Sequence, residues 1–89
     1  MFHIVLECQG IPKLAGPQAA ADITGEFVQR PWHQNVRCTW DGLVLRLEAD
    51  NDYDERGLAL SDEFSDAIAA CIAGAEYGDL RVVSITEAD

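Results

Sequence analysis

The sequence predicts an α+β fold in which two helices cover one face of a four-stranded antiparallel sheet. Three features lead to this prediction: apolar residues alternate near both ends of the chain, two segments repeat apolar residues every three or four positions, and Asp41-Gly42 separates two further alternating segments. In chain order these segments give βαββαβ. Because crossover connections are right-handed, this order favours the ferredoxin-like arrangement, with strand order 4-1-3-2 and both helices on the same face.

The first strand and the first helix follow from residues 2 to 29. Apolar and polar residues alternate over residues 2 to 8, which is typical of a strand with one buried face. Pro17 suits the first position of a helix that continues to about Gln29, although Gly25 weakens it by up to about 1 kcal/mol relative to Ala. We expect the buried positions to be Phe2, Ile4, Leu6 and Cys8 in the strand and Ala20, Ile23 and Phe27 in the helix.

Asp41 and Gly42 predict a two-residue hairpin turn between the second and third strands, because this dipeptide readily takes positive φ at both turn positions. The turn fixes a register, and alternate pairs then share one face of the sheet. On the side of the helices we expect Trp40 opposite Leu43, Cys38 opposite Leu45, and Val36 opposite Leu47. On the other side we expect Thr39 opposite Val44, Arg37 opposite Arg46, and Asn35 opposite Glu48.

A second helix and a last strand complete the order. Ser61 is expected to cap the helix, and Gly74 or Gly78 is expected to end it. The apolar stripe of this helix consists of Phe64, Ala67, Ile68, Cys71 and Ile72. In the strand DLRVVSITEA the alternation does not decide which face is buried. One face carries Leu80, Val82 and Ser84. The other carries Arg81, Val83 and Ile85, and we prefer this second set as the buried one.

Length and charge limit the classes of function. A chain of 89 residues with 48% apolar residues predicts one folded domain over residues 1–89. The net charge of −10 opposes binding to nucleic acid or to anionic membranes and favours either solubility or a basic protein partner. The first residues show neither an export signal nor a membrane span, so we expect a cytoplasmic protein.

Three aspartates alternate in the acidic loop after the third strand. An EF-hand loop takes oxygen ligands at positions 1, 3 and 5, glycine at position 6 and glutamate at position 12. Counted from Asp50, the aspartates Asp52 and Asp54 fit, but positions 6 and 12 are Glu55 and Ser61. The sequence therefore favours a solvated acidic loop, with weak Ca²⁺ or Mg²⁺ binding at Asp50, Asp52 and Asp54 as the alternative.

Two arginines stand opposite each other in the predicted hairpin. Arg37 and Arg46 would repel in this position unless a negative group lies between them. Glu7 and Glu48 on the same face are expected to neutralise them. The alternative is an anion-binding site formed by Lys13, Arg37 and Arg46, since paired arginines bind carboxylate or phosphate groups bidentately.

The segments CQGI, residues 8 to 11, and VRCTWDGLV, residues 36 to 44, resemble the two signature segments of acylphosphatases, which are small ferredoxin-like enzymes. The resemblance implies the same fold and suggests acyl phosphate hydrolysis as a possible activity. The family's phosphate-binding Arg corresponds here to Leu14, and its water-positioning Asn corresponds to Cys38. Without those groups the reaction loses its electrostatic stabilisation, so the resemblance supports the fold rather than the activity.

Other residues with catalytic or metal-binding chemistry are scattered along the chain. Cys8, Cys38 and Cys71 form no C-x-x-C pair, and His3 and His33 are distant in sequence. We expect buried thiols and surface or partly buried histidines rather than a metal site. The sequence contains no nucleophile elbow, phosphate loop or dinucleotide motif, so no cofactor is predicted.

The leading functional hypothesis is a small noncatalytic module that self-associates or binds a protein partner through the uncovered face of its sheet. The absence of catalytic motifs and the acidic surface favour it over an enzyme. The alternative is an anion-binding or acylphosphatase-like hydrolase. On the uncovered face we expect His3, Val5, Glu7, Arg37, Val44, Arg46 and Glu48.

Overall fold

The computed structural model describes residues 1–72 and 80–87, which form strands and helices in the order βαββαβ. The elements are β1 (Phe2–Cys8), α1 (Gly16–Phe27), β2 (Gln34–Trp40), β3 (Leu45–Asn51), α2 (Leu58–Cys71) and β4 (Leu80–Glu87). Gly74 and Gly78, which were expected to end the second helix, lie outside the described residues. Among the described helices, none has the length and apolar character needed to cross a membrane.

The four strands form one open sheet in the order β2-β3-β1-β4, and every neighbouring pair is antiparallel. This is the predicted order 4-1-3-2 counted from the opposite edge, so the strand order is confirmed. β1 and β3 occupy the centre, which agrees with the strong alternation of apolar residues in both. The edges of the sheet are β2 and β4.

One hydrophobic core joins the sheet to both helices. Its sheet residues come from alternate positions of β1 and β3, as the strand period requires, and its helix residues recur every three or four positions. The predicted buried residues of β1 and α1 are confirmed, with Phe2 packed at the margin. The largest fully buried side chains include Phe64, Ile4, Leu6, Ile23, Leu45, Leu47, Leu60 and Ile68.

The start of α1 packs closely on the end of β2. Pro17 lies in the first turn of the helix, as predicted, because its fixed φ suits a helix start. A Cβ atom added to Gly16 would lie 2.2 Å from two atoms of the Trp40 indole. Glycine at this position therefore allows the helix to approach the indole ring.

The predicted register of the β2–β3 hairpin is wrong by two residues. Trp40 pairs with Leu45 rather than Leu43, because residues 41–44 form a longer loop than a two-residue turn. Asp41 does not take positive φ, and its carboxylate instead accepts hydrogen bonds of 2.8 Å from the N–H groups of Leu43 and Val44. A shift by an even number of residues keeps the paired side chains of both strands on their predicted faces. Leu43 and Val44 are exceptions, because both lie in the loop before β3, and Leu43 is exposed rather than opposite Trp40 in the core.

The second helix begins at Leu58, and Ser61 is not its cap. Gly57 precedes the helix with φ of 71°, a conformation that favours glycine. The carboxylate of Asp54 accepts hydrogen bonds from the N–H groups of Ala59, at 3.1 Å, and Leu60, at 2.9 Å. The Ser61 hydroxyl donates to the Gly57 carbonyl oxygen at 2.7 Å. Asp54 thus bonds to free N–H groups at the helix start, which lies earlier in the chain than the start predicted from Ser61.

The last strand contains a bulge that neither predicted alternative includes. Leu6 pairs with Val82 and Val5 pairs with Ser84, so Val83 is an extra residue. The alternation of inward-facing and outward-facing residues along β4 therefore shifts by one position at Val83. Leu80 and Ile85 both pack against the core, although they were assigned to opposite faces by the simple alternation.

Candidate functional site

The side of the sheet away from the core forms an exposed surface that no helix in residues 1–72 and 80–87 covers; we call it the open face. Residues that pair across strands point to the same side, so the open face consists of rows that cross the strands. The row nearest the 41–44 loop contains Thr39, Arg46, Glu7 and Arg81. The middle row contains Arg37, Glu48, Val5 and Ser84, and the far row contains Gln34, Asp50, His3 and Thr86.

The open face carries paired charges. Glu7 lies between Arg81, at 3.2 Å, and Arg46, at 3.7 Å, and Glu48 lies 3.8 Å from Arg37. Such exposed pairs each contribute less than about 1 kcal/mol to folding, but they orient the side chains. Val5, in the middle of these long side chains, is buried although no helix covers it.

The predicted opposition of Arg37 and Arg46 is wrong, because the longer hairpin loop shifts the register. Arg37 is opposite Glu48, and Arg46 is between Thr39 and Glu7. The interpretation that Glu7 and Glu48 neutralise the two arginines agrees with the observed pairs. Both guanidinium groups therefore already have a carboxylate partner.

Lys13, the third residue of the predicted anion site, lies in the turn between β1 and α1, where the Ala15 N–H donates to the Pro12 carbonyl oxygen. Next to Lys13, Leu14 is 99% exposed. Anion binding by Lys13, Arg37 and Arg46 remains a prediction.

His3 links two carboxylates in the far half of the open face. Its Nδ1 is 2.6 Å from Asp50 and its Nε2 is 3.3 Å from Glu48, so both ring nitrogens donate when the imidazole is protonated. The hydrogen bond to Asp50 is the main cause of the raised pKa of His3. Burial alone would raise the pKa of Asp50, but hydrogen bonds from Asn35 and His3 outweigh it and lower this pKa. A hollow of about 170 Å³ lies beside His3, Asn35, Arg37 and Glu48.

We expect the His3–Asp50 contact to stabilise the fold most at mildly acidic pH. The raised pKa of His3 gives a contribution that is fully present below 6.5, the ordinary histidine value, and is lost as pH rises through the folded-state pKa. The lowered pKa of Asp50 gives a contribution that is present above 3.8 and is lost as pH falls through its folded-state pKa. The His3 side chain is 41% exposed, so solvent screening keeps the effect below about 1 kcal/mol.

Urea unfolding of the wild type and of His3→Gln over the range from about pH 3 to pH 9 measures this effect. His33 is present in both proteins, so the difference reports on His3. The difference in unfolding free energy should be largest between the two ordinary pKa values. A difference that stays constant over the whole range would contradict the expected role of His3.

The three aspartates of the acidic loop have different surroundings. Asp50 belongs to the open face, Asp52 is exposed, and Asp54 is buried and bonded to the first turn of α2. In the part of the chain that the structure describes, no group of three or more His, Cys, Asp or Glu side chains is arranged to hold a metal ion. Metal binding at Asp50, Asp52 and Asp54 remains a prediction without a geometric argument in its favour.

A buried polar network on the helix side of the sheet, at the same end as His3 and Asp50, was missed by the sequence analysis. His33 is only 5% exposed, although a surface or partly buried histidine was expected. Its Nε2 contacts the carboxylate of Glu63 on α2, and its Nδ1 is 3.2 Å from the side-chain amide nitrogen of Asn51 at the end of β3. Glu63 also accepts a hydrogen bond from Trp32 at 3.2 Å and lies 3.5 Å from Arg30. The network joins the α1–β2 connection to β3 and α2.

The hydrogen bonds of Asn51 determine the tautomer of His33. The Asn51 side-chain oxygen accepts from the N–H groups of Tyr53, at 3.2 Å, and Asp54, at 2.9 Å, so its amide nitrogen must face His33. His33 Nδ1 therefore accepts, and the proton on Nε2 is donated to Glu63. With both nitrogens occupied, the imidazole has no free position for general base catalysis. The arrangement supports a cross-link within the fold.

An open cleft of about 240 Å³ lies beside this network. The Arg30 guanidinium borders the cleft, but it also donates to the Glu26 carbonyl oxygen at 2.8 Å and lies over the Phe27 ring. The polar groups that converge here are thus engaged within the protein. The cleft is lined by Thr24, Phe27, Val28, Arg30, Pro31, His33 and Val36.

Two of the three thiols, those of Cys38 and Cys71, are unsuited to nucleophilic chemistry. Cys8 and Cys38 are buried, as expected, and Cys71 is half-buried. Burial, together with the neighbouring Cys71, raises the pKa of the Cys38 thiol to about 12. Burial also raises the pKa of Cys71. Both thiols therefore remain protonated at neutral pH, whereas the thiolate is the reactive form.

Comparison of the chain with models of protein families, with curated proteins and with solved structures found no match.

Proposed function

We propose that this chain is a small noncatalytic module of the ferredoxin-like type, and that it self-associates by stacking its open face on that of a second copy. The observation that carries the proposal is the charge balance of this face. With His3 neutral, three arginines balance three carboxylates on the open face, whereas the whole chain has a net charge of −10. Two copies therefore repel least when they approach through this surface.

The charges of the open face are also distributed unevenly along the strands. The row nearest the 41–44 loop holds Arg46 and Arg81 against Glu7, an excess of one positive charge. The far row holds Asp50 with His3, an excess of one negative charge when His3 is neutral. The middle row, with Arg37 and Glu48, is balanced. The face thus has a positive and a negative end.

A two-fold axis along the middle row makes this face complementary to itself. It places the positive row of each copy on the negative row of the other, as isologous interfaces require. Arg46 then lies over Asp50 of the second copy, and Glu7 lies over His3 of the second copy. At the middle of the interface Val5 meets its own equivalent. Arg37 and Glu48 also lie over their own equivalents, so their like charges are offset by the diagonal pairing of Arg37 with Glu48 of the second copy.

A second copy fits the open face better than a basic protein does. A basic partner is attracted to an excess of negative charge, and that excess lies on the other surfaces of the chain. The balanced open face offers such a partner no net attraction, whereas it offers a second copy both opposite charges and an apolar centre at Val5.

Sedimentation velocity over a range of concentrations tests the proposal. We expect Arg46→Glu to make both end rows negative and to weaken self-association about tenfold or more, which corresponds to about 1.4 kcal/mol. The matched control is Arg56→Glu, which changes the charge by the same amount at an exposed residue next to α2. The control should associate far more tightly than Arg46→Glu.

The swapped variant Arg46→Asp with Asp50→Arg separates interface charge from net charge. It reverses the sign of the net charge on both end rows, so the two rows still carry opposite charges. The dimer should therefore form again. Monomeric wild type at the highest soluble concentration would refute the proposal. Equal effects of Arg46→Glu and Arg56→Glu would refute the open face as the interface.

A further inference from the structure

β4 is an edge strand whose outer side has no partner among the described residues. It pairs with β1 on one side only, so the backbone N–H and C=O groups of its other side are available to another strand. Val82 and Val83 are each 39% exposed on this strand. An edge with exposed apolar residues is a typical site for addition of another strand.

The two edges of the sheet are protected to different degrees. On β2, Arg37 places a charge in the middle of the strand, and Asn35 takes φ of 53° where the pairing with β3 shifts. Both features oppose addition of a strand. In contrast, residues 82–86 of β4 contain no charge and no proline, and most of them are β-branched. The Val83 bulge is the one protective feature of β4.

We infer that β4 pairs with β4 of a second copy in antiparallel orientation, which joins the two sheets into one continuous sheet of eight strands. The charges at the strand ends select this orientation. Parallel pairing would place Arg81 beside Arg81 and Glu87 beside Glu87. Antiparallel pairing instead brings the Arg81 end of each strand to the Glu87 end of the other.

The bulge selects the register. Val82 and Ile85 both point toward the helix side of the sheet, on either side of the extra residue Val83. A two-fold axis between Val83 and Ser84 places Val82 beside Ile85 of the second copy, so that apolar residues meet on the same face. It also places Arg81 beside Thr86 of the second copy, and both of these belong to the open face.

The edge contact does not depend on the proposed stacking of open faces, but the two are compatible. The edge axis runs perpendicular to the sheet near Ser84, and Ser84 belongs to the middle row, along which the stacking axis runs. The two axes are therefore perpendicular and cross at the level of this row. Together they generate a closed tetramer of D2 symmetry rather than an open filament.

A set of variants analysed by sedimentation velocity tests the edge contact. Val83→Lys places two lysines next to the edge axis and should abolish this contact, while Val28→Lys makes the same change at an exposed residue of the α1–β2 connection and should not. With both contacts present, we expect a tetramer for the wild type, dimers for Arg46→Glu and for Val83→Lys, and a monomer for the double variant. In Arg46→Glu, hydrogen exchange of the β4 amides should slow as the protein concentration rises.

The outcomes distinguish the two proposals. A monomer for Arg46→Glu with a dimer for Val83→Lys would refute the edge contact and leave the stacked open faces in place. A dimer that is insensitive to Arg46→Glu but lost in Val83→Lys would refute the open-face proposal and support the edge. If circular dichroism shows that Val83→Lys does not fold, Val82→Lys replaces it, because Val82 is half-exposed, lies outside the open face and would set a lysine beside Ile85 of the second copy.

Discussion

Replacing Gly16 by valine is expected to lower the free energy of unfolding by about 2–3 kcal/mol. The Cβ of any larger residue would lie 2.2 Å from two ring atoms of Trp40, so α1 or the indole has to move. The indole is a rigid ring at the end of β2 and packs against the core, which makes its displacement costly. Urea unfolding followed by circular dichroism measures the loss.

Gly25→Ala provides the matched control for this prediction. Gly25 lies within the same helix, and no atom lies within 4 Å of a Cβ built on it. Alanine there should raise the free energy of unfolding by about 0.5–1 kcal/mol, because glycine has the higher entropy cost in a helix. The opposite signs of the two substitutions separate crowding from helix propensity.

A double-mutant cycle with Trp40→Ala tests the cause of the Gly16 effect. Removal of the indole leaves space for the valine side chain, so Gly16→Val should cost less in the Trp40→Ala background than in the wild type. Equal costs in both backgrounds would show that the indole is not the obstacle. Wild-type stability for Gly16→Val alone would contradict the close packing of α1 on β2.

Asn51→Leu is expected to lower the free energy of unfolding by about 2–4 kcal/mol. Leucine has a similar size, but it removes the acceptor for the N–H groups of Tyr53 and Asp54 and the donor to His33. The loss also disturbs the loop that positions Asp54 at the start of α2. Chemical unfolding at neutral pH measures the effect, and a loss below about 0.5 kcal/mol would contradict it.

Asn51→Asp separates the two halves of this network. The aspartate still accepts from Tyr53 and Asp54, but it can accept from His33 only when Nδ1 of the imidazole carries a proton. This variant should therefore have a lower free energy of unfolding than the wild type at neutral pH, because its carboxylate faces the accepting Nδ1 of His33. In the wild type, ¹⁵N NMR should show His33 with its proton on Nε2 at neutral pH, and a proton on Nδ1 would contradict the assigned network.

Local sequence patterns predicted most of the core residues but few of the contacts at the ends of the strands and helices. The alternation around Ile4 and Leu6 and the helical spacing of Ile23 and Phe27 depend on neighbouring residues alone, and these residues are buried as expected. The start of α2 was misplaced because its cap, Asp54, lies four residues before the helix, in a loop whose shape the sequence pattern does not indicate. A carboxylate that bonds to backbone N–H groups across such a distance resembles an ordinary loop residue in the sequence.

Which residues lie side by side on the proposed surfaces depends on the register between paired strands. The residue pattern of one strand does not determine that register. The Asp41-Gly42 dipeptide correctly indicated a hairpin, but the choice of a two-residue turn set Arg37 opposite Arg46 instead of Glu48. The Val83 bulge is visible only from the pairing of β4 with β1. The corrected register decided which charges of the open face share a row.

The sequence by itself determined the order of elements, the strand order and the buried sides of β1, β3 and the helices, because these follow from periodicity over a few residues. Only the tertiary structure decided the hairpin register, the cap of α2, the phase of β4 and the burial of His33 between Asn51 and Glu63. The partners of His33 lie 18 and 30 residues away along the chain. Contacts over such separations form when the sheet and helices close on one another, and no local pattern encodes them.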